Sequence, residues 1–222
     1  MQRTLLSSAT DSLFSDVSSD ALLSEVITLK RDKLIQKLIR NADIKYPQAG
    51  LESLGCEARD MDKNKIVNLA SMGFVSAATN LIITGLTGAG KTYLASVPGI
   101  ESCRMTLRTC YVRMPDMLSH VQTHKGLGNY KLLIINEWLN YRLNEKESRF
   151  IYELIDQRRE SNPTVFVSQF GVADWHERPG GGTVADSIMD RIIHNSYELP
   201  ASDNNMRKLY DSRKARSVID SL

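Results

Sequence analysis

The sequence predicts an α/β protein with a parallel sheet of five strands between helices. Three observations carry this reading. Short runs rich in apolar residues recur along the chain: NLIIT at 80–84, TCYVR at 109–113, KLLII at 131–135, TVFV at 164–167 and SYEL at 196–199. A helical stretch stands between successive runs, the pattern of strands joined by crossovers and covered on both faces. The first run also ends in a glycine-rich turn that leads straight into a helix, an arrangement suited to holding phosphate.

The elements follow in order. Residues 1–18 are rich in Ser and Thr and aperiodic, which predicts a loose terminus. From Ser19 to about Arg40, Leu22, Leu23, Val26, Ile27, Leu34, Ile35, Leu38 and Ile39 recur at helical spacing with basic residues between them. This predicts a small, basic, helical N-terminal domain over 19–47, closed by the break YPQAG at 46–50. The α/β domain is then expected over 48–200, opening with a short helix near Lys65–Ser71 and followed by a basic tail over 201–222. Within it, a helix starts at about Lys91, and Pro115 opens a short one. Asn144 caps another, with Glu147 completing a capping box. Phe150, Ile151, Leu154 and Ile155 form the buried stripe of that helix. Val184–His194 is the last helix before the fifth strand.

Composition removes several classes of function. With 42% hydrophobic and 24% charged residues the chain has the balance of a soluble protein. It holds no run near the roughly 20 apolar residues that span a bilayer, and no signal-peptide segment. The three cysteines are odd in number and lack metal-ligand spacing, as do the four histidines. Reduced thiols, a cytoplasmic location and no membrane partner are expected. The net charge of +2 says little by itself, but the charge is uneven. Lys30 to Lys45 holds six Lys or Arg against two Asp, and Arg207 to Arg216 holds five against one. Lys30, Arg31, Lys33, Lys37 and Arg40 are the candidate contacts to a nucleic-acid backbone.

The chemistry concentrates at residues 85–92. GLTGAGKT matches G-x-x-x-x-G-K followed by Ser or Thr at every fixed position. Gly85, Gly88 and Gly90 let the backbone bend so that N–H groups, including those of Leu86, Thr87 and Ala89, can face phosphate oxygens. Lys91 reaches the β and γ phosphates, and Thr92 offers its hydroxyl to magnesium. The third strand leads to Asn136 and Glu137 in LLIINEW. An acid normally stands at the first of these positions to hold the ion. Asn136 can accept from metal-bound water but brings no charge. Glu137 is placed to orient or deprotonate water. Ser168 and Gln169 leave the fourth strand beside the expected γ phosphate. Arg191, in the helix before the fifth strand, is a candidate to complete a neighbouring subunit's site. These residues predict retained nucleotide binding with slow hydrolysis.

These segments resemble the IstB-like transposition helper ATPases of bacterial insertion sequences, relatives of the DnaC-type helicase loaders in the AAA+ class. The basic helical N-terminus, GLTGAGKTYLA, LLIINEW, SQFGVADWHE and VADSIMDRIIHNSYEL with SDNNMRK carry the likeness, which covers nearly the whole chain after residue 19. It implies a three-layer P-loop domain, ATP and Mg2+ as cofactors, Glu137 as catalytic residue, Gln169 as sensor and Arg191 as arginine finger. It also implies a homo-oligomer on double-stranded DNA that directs a transposase. The chain departs from the pattern at Asn136, at Pro98 inside the helix after the phosphate loop, and in a segment between Met114 and Lys131 shorter by roughly a dozen residues. A helicase loader and a nucleotide-binding module without turnover are the other two functions these residues allow.

Overall fold

The computed structural model describes residues 19–52, 54, 63–119, 126–201 and 204–206. The expected loose terminus and the basic run Arg207–Arg216 lie outside these residues. The chain divides into two compact units, residues 1–37 and 38–222. What is described of the first unit is helical and belongs to α1 (Ser19–Asn41), whose last turn lies in the second unit. In the first unit Leu22, Leu23, Val26, Ile27, Leu29 and Leu34 are exposed, as are Lys30, Arg31, Lys33 and Lys37.

The division falls before Leu38 and not at the break near residue 47. Ala42, Ile44, Ala49 and Leu54 are buried in a core cluster of the second unit, with Leu38, Ile39 and Tyr46 packed against it. The Ala42 carbonyl also accepts from the N–H of Tyr111 at 2.8 Å. That bond occupies part of the sheet's open edge, which would otherwise present unpaired backbone groups. The proline–glycine break is thus a turn inside this unit.

Two helices, α2 (Lys63–Ala70) and α3 (Gly73–Ser76), precede β1 (Asn80–Thr84). There follow α4 (Lys91–Arg104), β2 (Thr109–Arg113), α5 (Met114–Ser119), β3 (Leu132–Asn136), α6 (Glu145–Arg158), β4 (Thr164–Val167), α7 (Gly182–Ile193) and β5 (Ser196–Pro200). The strands pair in parallel in the order β2-β3-β4-β1-β5. All five lie where the apolar runs place them. β3 is shifted one residue toward its C-terminus from the expected 131–135, because Asn136 still pairs with Arg113 on one side and Val167 on the other.

Alternation along each strand divides the core into two layers. Leu81, Ile83, Leu132, Ile134, Val165 and Val167 face α4, α2 and α3. Ile82, Leu133, Ile135 and Phe166 face α5, α6 and α7, together with Trp138 and Trp175. Both tryptophans are fully buried, so they pack the core as expected and offer no stacking platform. The helix α4 runs through Pro98 without interruption. Beside it, a Cβ at Gly99 would stand 2.8 Å from Cδ1 of Ile134. Glycine therefore lets the helix press closely on β3 at the turn where proline removes a hydrogen bond. At α6 the capping box forms: the Asn144 side chain accepts from the Glu147 N–H at 3.0 Å, and the Glu147 carboxylate accepts from the Asn144 N–H at 2.8 Å.

Candidate nucleotide site

In a parallel sheet all strands end at one edge, so the loops after β1, β3 and β4 meet there. That edge gathers the phosphate loop, Asn136, Glu137 and Gln169. In the loop Gly85, Gly88 and Gly90 have φ of 145°, 90° and 78°, values that a side chain would strain. At Gly88 the loop is also closely packed. A Cβ at Gly88 would stand 2.7 Å from Oδ1 of Asn205, and the Met206 N–H donates to the Gly88 carbonyl at 2.9 Å. The N-cap of α4 is Gly90, which has no side-chain hydrogen bond. The first N–H groups of a helix have no intrahelical acceptor, and here they face the loop with no capping side chain. This donor set fits an anion.

Lys91 is half-buried. Its ammonium donates to the carbonyls of Gly85 at 2.7 Å and Leu86 at 2.9 Å. Burial pulls its pKa below the ordinary lysine range, since the charged form loses hydration. Leu86 and Thr87 are exposed and Ala89 is buried. The hydroxyl of Thr92 donates to Oδ1 of Asn136 at 3.4 Å, and Asn136 is itself buried. These two oxygens could hold Mg2+, Thr92 directly and Asn136 through water. They fit the ion's liking for oxygen, but no carboxylate stands among them.

Glu137 holds an unusual backbone. Its φ is 61° and that of Leu139 is 51°, each costing about 1–3 kcal/mol for a residue with a side chain. Its carboxylate accepts twice from Arg113, at 3.0 Å from Nε and 2.9 Å from Nη2. Both side chains are partly exposed, so solvent screens the pair and it is worth about 1 kcal/mol or less. Glu137 can therefore be drawn away from Arg113 at small cost. In the sequence Arg113 belongs to no motif, and its one signal is that of a charged residue ending a strand at this edge. The hydroxyl of Thr87 donates to Oε1 of Gln169 at 3.3 Å, which joins the phosphate loop to the exit of β4.

Arg191 lies elsewhere. It sits near the end of α7 and lines a small hollow with Ala78, Asn80, Thr164 and Asn195, where the strands begin. The carbonyl of Asn195 accepts from the N–H of Asn80, the first residue of β1. Five residues of strand, roughly 16 Å, therefore separate Arg191 from its own phosphate loop. The guanidinium donates to Asp156 at 2.9 Å, Tyr152 Oη at 2.9 Å and the Ser187 carbonyl at 3.1 Å. Of the candidate nucleic-acid contacts, Lys30, Arg31, Lys33 and Lys37 are exposed in the first unit and Arg40 is exposed in the second. Among the described residues no cluster of His, Cys, Asp or Glu could hold a metal ion, and no helix is long and apolar enough to cross a membrane.

The chain is similar to known proteins in sequence and in fold. A family model described as IstB-like ATP binding protein matches residues 4–215. The insertion sequence ATP-binding protein y4uH of Sinorhizobium fredii is 29% identical over 198 residues, covering 85% of this chain and 80% of that protein. Among solved structures, DnaI superposes with a TM-score of 0.62 at 18% identity, covering 77% of this chain and 93% of that one. The DnaC helicase loader superposes with 0.58 at 16%, covering 71% and 99%. At such identities the likeness speaks for the fold alone.

Proposed function

The chain belongs to the family of IstB-like ATP-binding proteins, and from that premise we propose that it is an ATP-dependent, DNA-binding helper for transposition. In this reading it binds ATP with Mg2+, assembles with copies of itself on duplex DNA, and directs a transposase to that DNA. The observation that carries it is the division of the site between two edges of the sheet. The phosphate loop, Thr92, Asn136, Glu137 and Gln169 stand at one edge, and Arg191 stands at the other. A complete site needs the Arg191 of a second copy, so nucleotide and assembly become linked.

The roles follow from position. The phosphate loop and Lys91 bind the anionic tail, with Leu86, Thr87 and Ala89 contributing backbone. Magnesium, when held by Thr92 and through water by Asn136, would neutralise charge on the β and γ phosphates. Glu137 orients and deprotonates water, which requires its carboxylate to leave Arg113. Gln169, tied to Thr87, senses the γ phosphate. Lys30, Arg31, Lys33, Lys37 and Arg40 contact DNA phosphates.

ATP turnover and oligomeric state, each measured with and without duplex DNA, test the reading. We expect slow turnover that DNA raises, and larger assemblies with ATP than with ADP. No assembly on DNA under any nucleotide would overturn it. Asn136 favours a second reading, a nucleotide-dependent DNA binder with no turnover, which the same experiment separates. A helicase-loading role shares the fold, and a pull-down that captures a helicase in place of a transposase would favour it.

A further inference from the structure

We propose that Ser168 is a positioning residue that fixes Glu137 for hydrolysis by lacing the loop after β3 to the loop after β4. This rests on the hydrolytic reading above. Ser168 is completely buried, yet it follows the last residue of an apolar strand and faces no solvent. Its hydroxyl donates to the Trp138 carbonyl at 2.9 Å and accepts from the Phe170 N–H at 3.1 Å. Its own N–H donates to the Ile83 carbonyl at 3.0 Å, two residues before the phosphate loop. One small side chain thus spends both its donor and an acceptor on two different functional loops.

The two loops carry the residues that must act together. The bond to the Trp138 carbonyl grips the Trp138–Leu139 peptide, the second after Glu137, and Trp138 lies between two residues, Glu137 and Leu139, with φ of 61° and 51°. Such backbone persists only where its surroundings over-determine it. The Trp138 N–H is held by the Val167 carbonyl at 2.8 Å, on the opposite side of the same residue. Beyond it, Leu139 leans on Sδ of Met114, a weak acceptor, at 3.1 Å, and its carbonyl accepts from Arg178 at 2.8 Å. Among the described residues Ser168 is the side chain that bonds the Trp138 carbonyl. On its other side, Gln169 lies between Ser168 and Phe170 and accepts from Thr87 of the phosphate loop. A continuous path therefore runs from Thr87 through Gln169, Ser168 and Trp138 to Glu137. Losing the Ser168 hydroxyl removes this partner from a buried carbonyl and a partly buried N–H and lets the strained peptide turn. The Glu137 backbone then shifts, so that its carboxylate, once released from Arg113, no longer lines up with the attacking water, while the phosphate cradle is untouched.

The test is a pair of turnover comparisons: parent against Ser168→Ala, and Glu137→Gln against the Glu137→Gln, Ser168→Ala double variant. We expect Ser168→Ala to lower kcat by about tenfold, less than the roughly hundredfold that a misplacement of about 1 Å can cost, with KM for ATP and binding of a non-hydrolysable analogue unchanged. In the Glu137→Gln background the second substitution should change nothing, because the group it positions is gone. Ser168→Cys keeps the shape with a weaker donor and acceptor, should fall between, and carries the test if the alanine variant does not fold. A parent-like kcat in the folded variants overturns the proposal. So does an equal fall in both backgrounds, which would mark general loosening of the fold, or a rise in KM at constant kcat. A parent with no turnover overturns the hydrolytic reading itself, and the role of Ser168 with it.

Discussion

At Asn136 the whole question of turnover rests on one exchanged atom. The residue sits where an oxygen of the third strand meets the Thr92 hydroxyl, a position that suits an ion's ligand but brings no charge. Asn136→Asp should restore an anionic magnesium partner and raise ATP hydrolysis by about tenfold, equivalent to about 1.4 kcal/mol of barrier; an unchanged steady-state rate would place the fault elsewhere. Lys91 gives a second outcome. Burial lowers its pKa, and a phosphate needs the protonated form. As pH rises, the free protein loses this proton below the ordinary lysine range, while bound phosphate favours keeping it. ATP affinity should therefore fall with alkaline pH and binding should take up a proton. Calorimetry in buffers of different ionisation enthalpy checks this, and Lys91→Arg should flatten the pH dependence, since arginine keeps its proton.

Among the elements, α6 braces the start of two strands. Arg158 is buried at its last turn and has no carboxylate partner among the described residues. It donates to Thr164 Oγ1 at 2.9 Å, to the Leu127 and Tyr130 carbonyls at 2.8 Å and to the Pro163 carbonyl at 2.6 Å. Burial pushes its pKa down to about 10, so it remains cationic at neutral pH and its hydrogen bonds offset the lost hydration. Arg158→Ala would strand those carbonyls in the core. It should cost about 3 kcal/mol, read as a lower denaturation midpoint in urea. Asn144→Ala at the other end of the same helix removes only a cap and should cost about 1 kcal/mol. The larger loss at Arg158 would separate a tertiary brace from a local one.

The scale of the whole molecule is where DNA and assembly enter. Lys30, Lys33 and Lys37 are exposed on α1, so their contribution to DNA binding should be made through phosphates and be blind to sequence. Reversing all three to Glu should weaken binding to every duplex alike and make the log–log salt dependence shallower by about 3, near one unit for each lost contact. Arg191 belongs to this scale because it cannot reach its own phosphate loop. Lys91→Ala and Arg191→Ala should each abolish turnover, the second while still binding ATP. Mixed together they should recover part of it, since some interfaces then pair an intact loop with an intact arginine. Co-assembly without recovered turnover would show that Arg191 does not act across an interface.

Local chemistry made the sheet and the phosphate loop legible in the sequence. Apolar runs specify buried parallel strands, a glycine pattern specifies a turn that only glycine tolerates, and Asn144 with Glu147 specifies a cap through bonds three residues apart. Each signal lies within about ten residues, so no knowledge of the rest of the chain was needed. What the tertiary structure decided involves partners far apart along the chain. Residues 38–54 join the second unit because Ala42, Ile44 and Leu54 find a core made by helices that come later. Arg113 meets Glu137 because parallel pairing sets β2 beside β3 in register. Ser168 reads in the sequence as one more polar residue after a strand. Its two loops meet only because β4 lies between β3 and β1, and strand order is set by how crossover helices pack their apolar faces, which no short stretch of sequence contains.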